Sequence, residues 1–541
     1  MTIDPKIHDR RWLILGVLVL SLLVVVLDTS ILNVALRTLA EPKPKGLGAS
    51  QTDLEWATNS YTLAFAGLLF TFGILGDRIG RKRMLLTGIV AFGASSLLCA
   101  YAQSPDELIA CRALMGISGA AILPSTLSII SNVFEPAERA KAIGIWAGAV
   151  GIALAIGPIT GGVLLAHFWW GSVFLVNVPI CVLALVLMVR LVPESRNPSP
   201  GRLDPVGVVL QVTAITALVF GIVRGGDIGF GTLQALGSLF VGLALGTVFV
   251  LWERHHESPI LDVRLFRHRS FSAAVSVIAL VFCSYMGLVF VLSFYMQAAR
   301  GYSPLHSGAM LLPLAIMQLI FSSRSAGLTG RFGVRRVVSV GLALLTVAML
   351  YYTQATATSS AVLLGICLGA QGLALGLVMP PVTSTIMAAL PRERAGAGSA
   401  IGNTSRQVGG CLGIAILGAI MTATYRSGVD PHLAAAHLPT STAASVSATL
   451  AAASHLGAGA PALVHAAIDA FVTGMHHAAV GAVAIGLLSL AIGVTMLPGR
   501  ETADAAWAEV PASSTDDAGV ARNDADPVPA LGAPVGSASE A

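Results

Sequence analysis

Three ionisable residues lie where charge is expensive. Asp28 falls in the apolar run 12–34, Arg112 in 107–131 and Arg406 in 400–424. Each run is long enough to cross a hydrocarbon core of about 30 Å as a helix. An ionisable group at such depth is a functional candidate by default. A carboxylate can take up and release a proton. A guanidinium stays charged, but it can hold that carboxylate when ionised and be freed when it is protonated. Counted from Arg11, Asp28 lies about 25 Å along a helix, in the outer part of the membrane, and Arg112 lies about 9 Å below the edge marked by Asp106. The two therefore reach comparable depth and should couple, directly or through water. The plainer alternative for each is a side chain reaching the outer interface. Arg406 stands evenly between a buried role and an inner-edge cation.

A second cluster follows the second apolar run: Gly73-Ile74-Leu75-Gly76-Asp77-Arg78-Ile79-Gly80-Arg81-Lys82-Arg83. One carboxylate sits among four cations in a glycine-rich tight turn. Such a turn can dock on a neighbouring helix end and be released when the protein changes state. A degenerate echo without the aspartate, Gly327-Leu328-Thr329-Gly330-Arg331-Phe332-Gly333-Val334-Arg335-Arg336, follows eight spans later. The fifth span carries Gly148, Gly151, Gly157, Pro158, Gly161 and Gly162. Its glycines allow close helix approach, and Pro158 removes a backbone hydrogen bond and bends the helix.

These residues must be held by membrane helices. Of 541 residues, 55% are apolar and only 11% charged, against about 25% charged in soluble domains. Fourteen spans are expected, near 12–34, 57–76, 84–102, 107–131, 140–165, 171–190, 205–223, 231–252, 271–299, 305–323, 334–352, 360–382, 400–424 and 476–497. With the N-terminus inside, only Arg37, Lys43, Lys45, Arg224, Arg300 and Arg426 of the 32 Lys and Arg face outward, and Arg112 and Arg406 lie within spans. That asymmetry satisfies the positive-inside rule. A stretch over 425–475 should form a long outer loop, with an interfacial helix near 466–477 at its end, and the Ala-, Pro- and Asp-rich tail over 499–541 should be disordered. The six cysteines all fall in apolar runs without paired spacing, which suits small buried hydrophobes better than zinc or disulfides. The net charge of +4 is small and dispersed, which disfavours nucleic-acid binding.

The turn containing Asp77 resembles the cytoplasmic signature of the major facilitator superfamily, and the resemblance implies a gating role for Asp77 with Gly73, Arg78, Gly80 and Arg81. The stretch Arg112-Ala113-Leu114-Met115-Gly116 is similar to that family's fourth-helix motif, whose arginine is implicated in proton coupling. Leu27-Asp28-Thr29-Ser30 with Asn33 resembles the first-helix signature of the fourteen-helix drug:proton antiporter branch. Gly148, Gly157, Pro158, Gly161 and Gly162 resemble the antiporter signature. The branch usually has Trp-Arg-Trp where this chain has Trp170-Gly171-Ser172. Pro193-Glu194-Ser195 and Tyr295-Met296-Gln297 are further matches, and the resemblance spans roughly 10–500.

The expected fold is an all-α polytopic membrane protein with a short N-tail (1–11), an N-terminal six-helix bundle (12–192), two inserted peripheral helices (204–252) and a C-terminal six-helix bundle (271–498). The expected function is proton-coupled antiport that exports small organic molecules across the cell (inner) membrane, with both termini cytoplasmic, no cofactor beyond the proton gradient, and a monomeric state. Asp28 and Arg112 would couple protons. Asn33, Tyr295, Met296, Gln297, Asn403 and Arg406 are candidates for the substrate cavity. A metabolite permease is the nearest alternative; a membrane-embedded sensor or enzyme is another, though no converging set of catalytic residues supports it.

Overall fold

A computed structural model describes residues 5–196, 204–256, 263–388, 395–454 and 460–499. Long helices account for the expected spans: α1 (Pro5–Ala40), α2 (Gln51–Ile79), α3 (Arg81–Ala100), α4 (Pro105–Val133), α5 (Pro136–His167), α6 (Asn177–Leu191), α7 (Pro205–Ile228), α8 (Leu233–His255), α9 (Arg269–Phe294), α10 (Leu312–Phe332), α11 (Val334–Leu350), α12 (Ala361–Ala388), α13 (Ala395–Ala435) and α14 (Ala460–Met496). Thirteen segments are long and apolar enough to cross a membrane. α5 supplies the remaining helix, with 32 residues. No strand occurs among the described residues. Helices are what lipid demands, since each must satisfy its own backbone donors and acceptors.

The starts are written in the sequence. Ser50 accepts from the Asp53 amide and Asp53 answers the Ser50 amide, a complete capping box. Ser104, Asp204 and Thr232 cap α4, α7 and α8, and prolines occupy the first turns of α4, α5 and α7.

Two six-helix halves, α1–α6 and α9–α14, repeat the same devices. α2 turns into α3 through Gly80 at φ 119°, and α10 turns into α11 through Gly333 at φ 83°. Both torsions lie where a side chain is strained. Gly116 lets α4 lie against the Tyr61 backbone of α2, and Gly372 lets α12 lie against the Leu314 backbone of α10. Small residues at such crossings are how membrane helices pack closely.

Three expectations change. The inserted pair is not wholly peripheral. α8 is the outer member, with Phe240 74% exposed, whereas α7 wedges between the halves: its Val212 fills the space beside Gly67 of α2, and Gly226 abuts Ala419 of α13. The loop expected over 425–475 shrinks, because α13 continues to Ala435 and α14 begins at Ala460, so residues 466–477 are part of a long helix and not an interfacial one. Most of the expected N-tail is already helical, since α1 begins at Pro5. The expected disordered tail lies outside the described residues from 500 onward.

Candidate functional site

Asp28 and Arg112 meet. Arg112 Nη1 donates to Asp28 Oδ2 at 2.5 Å, and each side chain is 1% exposed. The interface alternative fails for both residues, because the charges close on each other inside the first half. Arg112 is also held by its Nε–H to the Ala57 carbonyl at 3.1 Å and by the Tyr61 ring, 4.4 Å from its guanidinium carbon. The other Asp28 oxygen accepts from Asn177 Nδ2 at 3.1 Å, and the same amide donates to Ser96 Oγ, which donates to the Phe174 carbonyl. α1, α2, α3, α4 and α6 therefore converge on one carboxylate.

Gly116 explains how α2 and α4 come close enough for this, since a side chain there would enter the Tyr61 backbone. Gly171 does the same at the turn before α6, against the Ala100 carbonyl. Glycine at this position, where the resemblance led to expecting a cation, permits that close approach. Asn177 and Tyr61 carried no assigned role in the sequence reading. An asparagine within an apolar run was the available signal for the first; a tyrosine in α2 gave none.

The glycine-rich turn stands at the other end of the bundle, the face that carries the N-terminus of α1. Arg81 Nε donates to Asp77 Oδ1 at 2.8 Å and Arg81 Nη1 to the Ser128 carbonyl of α4 at 3.3 Å. Arg78 is exposed beside them. Glu194 completes the turn by accepting from the Lys82 amide at 3.1 Å and lying 3.7 Å from Arg83 Nε. Its carboxylate sits where a Gly80 side chain would be. Gly73 meets Pro124 of α4 at ordinary contact distance. Asp77 thus belongs to a docked turn remote from Asp28.

The two halves touch at the opposite, distal face. Gly162 abuts Leu305 of the helical segment Pro304–Met310, and Gly308 of that segment abuts the Pro158 carbonyl. Gly157 and Gly161 face Ser30 and Ile31 of α1. The glycines of α5 therefore serve two contacts, one within a half and one across the seal. Gly148 lies on α5, but its surroundings fall outside the described residues. Gln297 Nε2 crosses to the Val34 carbonyl of α1 at 2.9 Å, and Tyr295 donates to the Thr356 carbonyl at 2.6 Å. With Met296 they form a buried π-turn continuing α9; Gln297 bridges the two halves in this closed arrangement, while Tyr295 is tied within the second half. Asn33 and Asn403 are half-buried on α1 and α13. Arg406 stacks on Phe282, 5.2 Å from the ring centroid, and its Nε has no hydrogen-bond partner. The structure does not bring Arg406 to Asp28.

Residues 18–414 match the Major Facilitator Superfamily model. The chain belongs to the Major Facilitator Superfamily. This superfamily member is a multi-pass membrane transporter of small molecules and not an enzyme. It is 37% identical to the multidrug efflux pump LfrA of Mycolicibacterium smegmatis over 78% of this chain and 83% of that protein. It is 33% identical to the tetracenomycin C resistance and export protein of Streptomyces glaucescens over 80% of each. Among solved structures it is similar to an inward-facing bacterial homologue of the human lysosomal transporter Spinster. The TM-score is 0.63 at 17% identity, over 92% of this chain and all of the other, a likeness of fold.

Proposed function

We propose that this transporter exports small organic molecules, drugs among them, from the cytoplasm by antiport against protons, with Asp28 as the proton carrier. The observation that carries the reading is the Asp28–Arg112 pair, buried and held by Asn177 and the Tyr61 ring. The N-terminal face, with its excess of Arg and Lys, is taken as cytoplasmic in the cell (inner) membrane. The seal at the distal face then corresponds to a state closed to the outside.

The chemistry follows from the pair. An ionised Asp28 neutralises Arg112 and ties α1 to α4, with α6 attached through Asn177. Protonation at Oδ2 removes the acceptor charge. Arg112 is left with the Ala57 carbonyl and the Tyr61 ring, which do not compensate a buried cation. The helices then gain by moving to an arrangement in which Arg112 finds water or substrate. Proton uptake from outside, release inside and outward movement of cargo become one cycle, because a ligand or proton shifts a conformational equilibrium only by its differential affinity for the two states.

The substrate class rests on relatives named for resistance to or export of organic compounds, including tetracenomycin C, puromycin and methyl viologen. The test is Asp28→Asn in membrane vesicles with an imposed pH gradient, following efflux of a fluorescent cation. The substitution should reduce gradient-driven flux to the passive level. Unchanged flux removes Asp28 from coupling.

A further inference from the structure

The sequence reading starts the second span at residue 57, leaving Glu55 outside it. The structure places Glu55 in α2, one turn past the Ser50 cap, with 1% of its surface exposed. It faces α13. Its carboxylate occupies the space beside Gly418, where any side chain would collide with it. Neither Glu55 Oε1 nor the nearby Thr422 Oγ1 of α13 has a hydrogen-bond partner.

The cations around Glu55 are engaged elsewhere. Arg426 of α13 binds Asp227 of α7, with Nη2 at 2.5 Å from Oδ1. Arg224 of α7 reaches the other oxygen of Asp227 at 3.2 Å. Arg112 of α4 is paired with Asp28. On α2 itself, Asp53 is bound to Ser50. Asp227 adds a negative charge in the same neighbourhood. The hydroxyl of Thr422 and the cation Arg426, itself bound to Asp227, are the groups nearest the carboxylate, and with Oε1 unpartnered a charge there is costly to bury.

Glu55 is the middle of a stripe. Gln51 and Asn59, one turn to either side on α2, are 4% and 0% exposed. Gln51 Nε2 and both amide atoms of Asn59 are also without partners. Each such atom is costly to keep dry. α2 belongs to one half and α13 to the other, so parting of the halves at the distal face would bring water to this stripe.

We infer that Glu55 is a second proton-exchanging site, seated in the distal gate. It is a carboxylic acid while the halves are closed over it and a carboxylate when they part, the proton passing to water on opening and returning on closure. The inference shares with the preceding reading the alternation of two halves, but it does not depend on Asp28. Because the closed state holds one more proton, rising pH favours opening, by at most about tenfold in the open-to-closed ratio per pH unit.

The experiment is hydrogen exchange by mass spectrometry on the full chain in lipid nanodiscs across pH 5–9, corrected for intrinsic exchange rates. Exchange in the distal ends of α2 and α13 should rise with pH in the natural protein. The near-isosteric Glu55→Gln should abolish that rise, while the turn at 77–83 stays unchanged. A pH response in Glu55→Gln equal to that of the natural protein overturns the inference. Asp28→Asn should keep the response, so failure of the coupling reading and failure of this one are separable. Should Glu55→Gln not fold, labelling of the natural protein with dicyclohexylcarbodiimide, an apolar reagent for protonated carboxyls, decides: an adduct on Glu55 that fades as pH rises supports the inference, and absence of an adduct at every pH refutes it.

Discussion

Removing both charges of the Asp28–Arg112 pair should harm folding less than removing either one. Both side chains are 1% exposed. Asp28→Asn keeps size and shape but strands a cation that retains the Ala57 carbonyl, the Tyr61 and Phe174 rings and a 3.8 Å contact to Met115 Sδ, none of them a counter-charge. Breaking a buried pair from one side costs about 3–5 kcal/mol, whereas replacing both partners by neutral groups is often close to neutral. Arg112→Gln strands the carboxylate, with Asn177 as its remaining donor, and should cost a similar amount. The double variant contains no unpaired charge and should recover to within about 2 kcal/mol of the natural protein, so the coupling energy is on the order of 3 kcal/mol or more. The assay is a double-mutant cycle on unfolding of detergent-solubilised protein, paired with gradient-driven efflux in vesicles. All three variants should lack driven efflux, including the stable double one, which separates charge from fold. Additive destabilisation would refute the reasoning, since it would mean that Arg112 and Asp28 are each solvated independently.

Asn177→Leu removes the donor shared by Asp28 and Ser96; it should destabilise by about 1–3 kcal/mol and lower driven efflux, measured by the same two assays. Gly308→Val pushes a side chain into the Pro158 carbonyl across the seal; it should raise hydrogen exchange in the segment 304–310 and hold the distal face open. Gly80→Ala places a methyl at φ 119°, 2.7 Å from Glu194 Oε1, so it should cost about 1 kcal/mol or more and slow turnover, whereas Gly327→Ala, which meets open space, should leave both unchanged.

The helical framework was legible because lipid imposes it: an apolar run near 20 residues has few alternatives to a helix. The comparable depth of Asp28 and Arg112 was legible, since two antiparallel helices counted from opposite faces reach the same level; that α1 and α4 lie side by side was not. What pattern did not give was lateral position. Nothing in the spacing of Asn177 or Tyr61 says that α6 and α2 lie beside α1. Nothing in Tyr295-Met296-Gln297 says that Gln297 crosses to Val34 and so belongs to the seal in this state. The wedge role of α7 was hidden for the same reason, because Val212 and Gly226 become informative only once Gly67 and Ala419 are known to face them. Glu55 was missed through a boundary: hydropathy trims a span at its first acid, and α2 continues through it.

The polar groups of the two faces are treated in opposite ways. At the N-terminal face, Asp77, Arg81, Lys82 and Glu194 are matched donor to acceptor, across the α2–α3 turn and onto α4. At the distal face, Gln51, Glu55, Asn59, Gln297 and Thr422 each leave an atom unmatched. Matched groups favour the arrangement in which they are seen. Unmatched ones weaken it, by about 1–3 kcal/mol apiece, and Glu55 lies where α2 of one half meets α13 of the other. A gate that must open repeatedly cannot be sealed as tightly as a fold core. Apolar and glycine contacts such as Gly162 on Leu305 supply closure, while the unmet stripe on α2 keeps its depth shallow enough for a single proton or ligand to reverse it.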